Sequence, residues 1–447
     1  MTNTFAVSKS EYSVPKGILS PVREQERINT IDVLRGVALM GILLMNIIGM
    51  ALPDPAYWDP SGYGGDTGWN LRVFFMTGLL IEGTMRGIFS MLFGAGVILF
   101  TAGKEAAGAG LELANAWYRR TIWLIVFGLF HAYILIWPGE ILYFYGIVGI
   151  FLFPVRHISP RRLIGFSLFL FIVIAALHIS DSIKVGQMYD TSLEATEILV
   201  QGGELSEDQQ ISLEGWKDKM AEFKPDEKTK ERVVTNMQSG YFSAIKTMAP
   251  FSEFMQTTYF FRHGFLDVLS MMLLGMGLFK LRIFHGEWKT GFYGLMVLVG
   301  YGVGLTVNWF ETTAYINDNF SVVSYFKNQQ TYDLGRIFTT MGHVGFILLW
   351  TKANILGFLK RSLAAAGRMT LTNYIMHTVI ATTIFGIFRQ YGQWERYELY
   401  FLVASIWIFQ LIFSPIWLRY FRFGPLEWLW RWLTYGRQPR FRKGLTP

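Results

Sequence analysis

His131 and Glu140 stand on either side of a short turn, Trp137-Pro138-Gly139, within RRTIWLIVFGLFHAYILIWPGEILYFYG. A histidine beside a carboxylate is the usual arrangement of a positioned general base, able to take a proton from a hydroxyl or an amine. Spacing alone leaves open an interfacial histidine with a carboxylate facing water. Other polar groups interrupt apolar runs in the same way. Arg35 and Asn46 are eleven residues apart. That is nearly three full helical turns, so they share a face about 16 Å apart along the axis. Asp32 lies one turn earlier. Glu82 and Arg86 are four apart, as are His263 and Asp267, and each pair can meet on one helix face. Arg336 and His343 share a face, and so do Asn373 and His377.

Plainer roles fit the same residues. Asp32 can cap a helix, Arg35 can reach toward lipid headgroups, Asn46 can join two helices, and Glu82 with Arg86 can be a structural ion pair. The chain has no cysteine, which excludes thiol nucleophiles, disulfides and Cys-ligated metals. The histidines lack HxxxH or His-x-x-Glu-His spacing, so no metal is expected. No glycine-rich turn joins a strand to a helix, so no nucleotide-binding fingerprint is read.

The elements that must hold these residues are membrane helices. The 447 residues are 52% hydrophobic and 16% charged, well below the charged share of about 25% typical of soluble domains. Apolar runs predict ten spans, near 32–52, 84–102, 119–136, 140–154, 162–179, 262–280, 289–309, 335–351, 370–388 and 398–420. Residues 70–83 read as an interfacial or re-entrant helix. Lys and Arg cluster in alternate connections, which predicts an all-α bundle with both termini cytoplasmic. The net charge of +7 follows from those connections and calls for no nucleic-acid partner.

Five segments follow: a cytoplasmic tail over 1–29, helices 1–5 over 30–180, a long extracytoplasmic segment of amphipathic helices over 181–260, helices 6–10 over 261–421, and a basic tail over 422–447 that suits the lipid headgroup layer. Topology places Arg35, Arg119, Arg120 and Arg368 at the inner mouth, and Asn46, His343 and His377 in the middle. Glu82, Arg86, His131, Glu140, His263, Asp267 and Arg336 fall toward the outer mouth, and Asn373 descends from the inner side.

The pieces RINTIDVLRGVALMGILLMN, FSMLFGAG, GEILYFYG, GRMTLTNY and GPLEWLWRWLTYG together resemble the YeiB-like family of bacterial inner-membrane proteins. That family looks like a branch of the transmembrane acyltransferases, whose ten- or eleven-helix bundles use cytoplasmic acyl-CoA to modify sugars on the far side. In the O-acetyltransferases of that group the first-span arginine is followed by an essential histidine. Arg35 matches the arginine, but Asn46 stands at the histidine position, and an amide cannot serve as a base. His131 with Glu140 is the substitute this sequence offers.

The resemblance implies acyl-CoA held by Arg35, Arg119, Arg120 and Arg368, with an acyl group passing to a hydroxyl or amine of a small-molecule or glycan acceptor. The same polar path suits a transporter or flippase of a small anionic or lipid-linked metabolite. It suits, third, a non-catalytic membrane partner docking through the 181–260 segment. An inverted repeat, common in carriers, is not found.

Overall fold

The computed structural model describes residues 28–106 and 108–443. Residues 1–27 of the expected N-terminal tail, with Lys9, Lys16, Arg23 and Arg27, lie outside the described residues. The described chain is helical, and its one β-type contact is an isolated bridge between Phe421 and Arg442. In order the helices are α1 (Asn29–Ala51), α2 (Gly68–Leu80), α3 (Thr84–Ala106), α4 (Gly110–Tyr133), α5 (Leu142–Val155), α6 (Pro160–Val200), α7 (Glu207–Phe223) and α8 (Glu227–Gln238). There follow α9 (Tyr241–Phe254), α10 (Phe265–Lys280), α11 (Thr290–Asn317), α12 (Val322–Lys352), α13 (Gly357–Arg368), α14 (Thr370–Ala381), α15 (Leu399–Tyr420) and α16 (Pro425–Tyr435). A π-helical stretch, Met255–Gly264, joins α9 to α10, and another, Thr382–Ile387, continues α14.

Among the described residues, six helical stretches are long and apolar enough to cross a membrane: Asn29–Ala51, Gly68–Glu105, Pro160–Val200, Tyr241–Lys280, Thr290–Asn317 and Leu399–Tyr420. The chain is a helical membrane protein. The expected third, fourth, eighth and ninth spans fall on α4, α5, α12 and α14. Arg119, Arg120 and His131 lower the apolarity of α4, as Arg336 and His343 lower that of α12. The other two helices have only 14 and 12 residues. Residues 70–83, expected as an interfacial or re-entrant helix, run as α2 almost directly into α3.

The centre of the bundle is α1, α3 and α10, most of whose apolar residues are buried. Glycines let these helices touch. A Cβ on Gly94 would stand 2.0 Å from the Met272 carbonyl oxygen, and one on Gly275 2.0 Å from that of Met91. Either side chain would force α3 and α10 apart. At the periphery, α6 and α11 expose Ile172, Leu298 and Phe310, the apolar surface that a helix shows to lipid.

The expected boundary at residue 181 is not a structural break. Nothing between Ile179 and Val200 interrupts a helix except one glycine, so α6 continues for 41 residues, about 60 Å. The segment after it folds back as α7 and α8, which cap one end of the bundle. Ser206 and Gln209 form a reciprocal capping box at the start of α7. Trp58 Nε1 donates to the Phe223 carbonyl at 3.4 Å, Lys224 pairs with Asp59 at 3.3 Å, and Lys230 donates to the Gly62 carbonyl at 2.8 Å. The capped end therefore holds α7, α8 and the loops after α1 and α14. The opposite end is rich in arginine and holds α13 and α16.

Asp54, in the turn Asp54–Tyr57, lies beneath this cap, where burial and the charge of Glu222 push its carboxyl up to about 7. A carboxyl raised in the folded state favours folding below its unfolded pKa of about 3.9, and that stability is lost as pH rises through 7. Thermal midpoints of the detergent-purified chain are expected to fall between pH 5 and pH 8. Asp54→Asn should flatten that fall, and an unchanged pH profile in the variant would refute the assignment.

Candidate functional site

At the arginine-rich end a cavity of about 170 Å³ lies among α1, α3, α4, α5, α13, α14 and α16. Its mouth carries Arg35, Arg120, Arg368 and Arg431, together with Asp32 and Glu427; deeper in, the walls are apolar and aromatic and reach Tyr145 and Tyr374. Glycines bring Arg35 and Arg368 to the same place. A Cβ on Gly36 would stand 2.1 Å from the Leu363 carbonyl oxygen, and one on Gly367 1.9 Å from that of Asp32. Only bare backbone lets α1 and α13 meet this closely. Arg120 lies 3.6 Å from the ring centre of Trp430, whose Nε1 donates to the Arg120 carbonyl at 3.0 Å. Stacking fixes the guanidinium while leaving its N–H fork free for an anion.

The carboxylates at this mouth are already engaged. Asp32 lies 3.5 Å from Arg35. Glu427 accepts from the backbone N–H of Leu371 at 2.6 Å and of Thr372 at 3.1 Å, and from the Thr372 hydroxyl at 2.6 Å. It caps α14 from outside that helix, satisfying N–H groups that have no partner within it. Burial pushes the Glu427 carboxyl up, against these hydrogen bonds, and pushes the Arg431 guanidinium down. Four guanidinium groups thus face two carboxylates, and the mouth has an excess of positive charge.

Three of the four arginines expected to bind a cofactor meet here. Arg119 does not: it is exposed and donates to the Leu433 carbonyl at 2.9 Å. Adjacent residues on a helix point about 100° apart, so Arg119 and Arg120 cannot serve one cavity. Arg431 was not expected. Its signal was available in the spacing of Glu427 and Arg431, one helical turn apart, within a stretch that composition assigns to the headgroup layer.

Above the cavity, His131 is fully buried, and its Nε2 lies 2.6 Å from the Thr378 hydroxyl. Its ring meets that of Tyr374 edge-on at 5.1 Å. The expected pairing with Glu140 is corrected here. Glu140 accepts from the backbone N–H of Leu142 at 2.7 Å and of Tyr143 at 3.1 Å, with Gln256 at 3.4 Å. It caps α5, because a helix that starts in an apolar setting must find acceptors for its first N–H groups. His131, Glu140 and Asn46 are not among the cavity walls; Tyr374 is the contact between cavity and His131. Asn46 is half-buried.

His377 donates from Nε2 to Gln410 at 2.9 Å, and Gln410 donates in turn to the Asn373 carbonyl at 3.0 Å. Asn373 donates to Ser414 at 3.0 Å. This network ties α14 to α15. Nδ1 of both His131 and His377 is buried with no hydrogen-bond partner among the described residues.

Toward the capped end, three residues expected from separate spans converge. Arg86 pairs with Asp267, and Arg336 Nη2 lies 2.5 Å from Asp267 Oδ1 and 2.5 Å from Asp333 Oδ1. Two expected pairings within single helices give way to these contacts. Glu82 does not pair with Arg86; it accepts from the Tyr57 hydroxyl at 3.1 Å and the Tyr332 hydroxyl at 3.4 Å. His263 does not pair with Asp267; it stacks on His178 at 5.8 Å. His263 lies in the last turn of the π-helical stretch, whose i→i+5 bonding breaks the four-residue alignment assumed for an α-helix.

His343 accepts from Tyr301 at 2.8 Å and donates to the Leu80 carbonyl at 2.7 Å. Asp333, Tyr57 and Tyr332 were not expected, although Asp333 precedes Arg336 by three residues. Tyr145 links cavity and cluster: its ring lines the cavity, and its hydroxyl lies 2.6 Å from that of Ser90 and 3.5 Å from the Arg86 carbonyl. No group of three or more His, Asp or Glu placed to hold a metal ion occurs among the described residues.

Residues 278–437 match the model of a family described as a protein of unknown function, DUF418. The chain is 28% identical over 422 residues to the uncharacterized protein YeiB of Escherichia coli (strain K12), across 92% of this chain and 96% of that one. It is 28% identical over 446 residues to the uncharacterized protein YxaH of Bacillus subtilis (strain 168), across 93% and 96%. It is 27% identical over 437 residues to an uncharacterized 39.9 kDa protein in the amylase 3′ region of Bacillus acidopullulyticus, across 94% and 97%. No solved structure matches. Fold and matches define a polytopic helical membrane protein carrying a DUF418 region. Over nearly its whole length the chain is similar to YeiB and YxaH.

The Glu427 cap makes a stability prediction. Glu427→Ala strands one buried and one partly buried backbone donor and should lower stability by about 1–3 kcal/mol, read from unfolding in mixed micelles. Glu427→Gln keeps one acceptor oxygen and should lose less. Native stability in the alanine variant would show that the cap is idle.

Proposed function

We propose that this chain is an acyl-CoA-dependent membrane acyltransferase. It would sit in a bacterial plasma membrane as a bundle of about ten crossings, with both termini and the arginine-rich end cytoplasmic. The observation that supports this most is the cavity itself. Its mouth has an excess of guanidinium groups and its depth is apolar, which suits a donor with phosphates at one end and an acyl chain at the other. The connections at that end carry Lys104, Arg156, Lys280 and Lys352, in keeping with the positive-inside rule.

In this reading Arg35, Arg120, Arg368 and Arg431 hold the phosphates, and the thioester lies near Tyr374. The Tyr374 ring must turn aside for the thioester to reach His131. His131, held by Thr378, accepts the proton of the acceptor hydroxyl or amine as its oxygen or nitrogen bonds to the acyl carbon. The C–S bond then breaks, and the thiolate takes the proton back from His131. The acceptor, a small molecule or glycan, arrives from the capped side.

A transporter or flippase of a small anionic or lipid-linked metabolite is the second reading. The observation in its favour is the polar series that continues from the cavity through Tyr145 to Arg86 and Asp267.

Binding and turnover of acetyl-CoA and palmitoyl-CoA by the chain in nanodiscs separate the two readings. Arg120→Ala is expected to weaken binding at least tenfold. His131→Ala is expected to bind normally and release no CoA. A folded native chain that neither binds nor hydrolyses any acyl-CoA would end the acyltransferase reading, and CoA-independent uptake into proteoliposomes would establish the other.

A further inference from the structure

We propose that the capped end holds a second chamber, which binds a small organic cation, with its ammonium group seated between Glu82 and surrounding tyrosine rings. The proposal does not depend on acyl transfer and stands whether the chain is an enzyme or a carrier.

The first ground is accessibility. Arg86 keeps 28% and Asp267 14% of their side chains accessible, although both are enclosed by helices, while Arg336 beneath them keeps 2%. Glu82, Tyr57, Tyr259, Tyr325 and Tyr332 are all half-buried. They come from the turn before α2, the junction of α2 and α3, the π-helical stretch before α10, and α12. Polar side chains that converge from so many elements and still have open surface line a chamber rather than a packed core.

The second ground is charge. Arg86 and Arg336 are both spent on Asp267 and Asp333. Among the described residues Glu82 has no cation within 4.0 Å, and its oxygens receive only the two phenol O–H groups of Tyr57 and Tyr332. The formal balance of Arg86, Arg336, Asp267, Asp333 and Glu82 is therefore one negative charge, and Glu82, though within electrostatic reach of Arg86 and Arg336, is the carboxylate without a direct ion pair. A carboxylate held away from bulk water with only neutral donors leaves an unmet demand for positive charge.

The third ground is the kind of wall. Tyrosine rings present negative faces to a cation, and the guanidinium of Arg336 already stands 5.3 Å from the centre of the Tyr332 ring. Tyr259 and Tyr325 are within electrostatic reach of Glu82. Asp54 beneath the cap adds a further carboxyl near Tyr325. An inorganic cation would need more oxygen ligands than Glu82 and two phenols supply. An organic ammonium needs one carboxylate and aromatic faces, which is what the chamber offers.

The test is calorimetric titration of the full-length chain in nanodiscs at pH 7.5 with ethanolammonium chloride and with tetramethylammonium chloride. Sodium acetate at the same ionic strength is the control. Saturable binding of the ammonium probes is expected, with no acetate binding beyond what Arg120→Ala removes. Glu82→Gln should weaken binding at least tenfold. Tyr332→Phe removes one donor from Glu82 and keeps the ring, so it should bind at least as tightly as the native chain. That variant carries the test if Glu82→Gln fails to fold by size-exclusion chromatography. Absence of saturable binding, native affinity in a folded Glu82→Gln, or a more than threefold loss in Tyr332→Phe would overturn the proposal. Saturable acetate binding that persists in Arg120→Ala, and so lies outside the arginine-rich cavity, would also overturn it, by making Arg86 the ligand-bearing group.

Discussion

A helix that begins inside an apolar medium has N–H groups that water cannot reach. This chain meets that constraint twice with a glutamate. Glu140 covers the start of α5, and Glu427 reaches from α16 to cover the start of α14. Both are nearly buried. The second cap matters most for the site. α14 carries Tyr374, His377 and Thr378, so its starting position sets where the cavity ends and where His131 is held. The carboxylate that looks most like a catalytic partner in the sequence is thereby a structural one.

The same arrangement explains the electrostatics of the arginine-rich mouth. An acid that accepts three hydrogen bonds from a helix start has little capacity left for a neighbouring guanidinium. Glu427 offsets one of the four positive charges at the mouth in formal charge but not in bonding, and Arg120 and Arg431 keep their donors. At the capped end the balance is reversed. There the arginines are consumed by aspartates, and a glutamate is left with phenols. The bundle holds a positive recess at one end, which Tyr145 joins to the Arg86–Asp267 cluster toward the other.

The helical character and most helix positions were legible in the sequence, because long apolar runs and clustered basic loops have few other meanings. Arg35, Arg120 and Arg368 were legible as one group, since all three sit at the same depth. Partners were much less so. Spacing within a helix suggests that Glu82 meets Arg86 and that His263 meets Asp267. It cannot weigh those contacts against a better-placed residue on another helix, such as Asp267 for Arg86. It also assumes an α-helix where the chain is π-helical. Arg431 and Glu427 were hidden by composition, because a run rich in Trp and Arg reads as a headgroup segment before it reads as the wall of a cavity.

The central claim is that the arginine-rich cavity receives the phosphate end of an acyl donor and directs its acyl carbon toward His131. A cryo-electron microscopy structure of the chain in nanodiscs with a non-hydrolysable acyl-CoA analogue tests this most directly. Phosphate density is expected against Arg35, Arg120, Arg368 and Arg431, with Tyr374 turned away and the acyl carbonyl next to His131. An empty cavity at saturating analogue, or the analogue bound with its phosphates elsewhere, would contradict it.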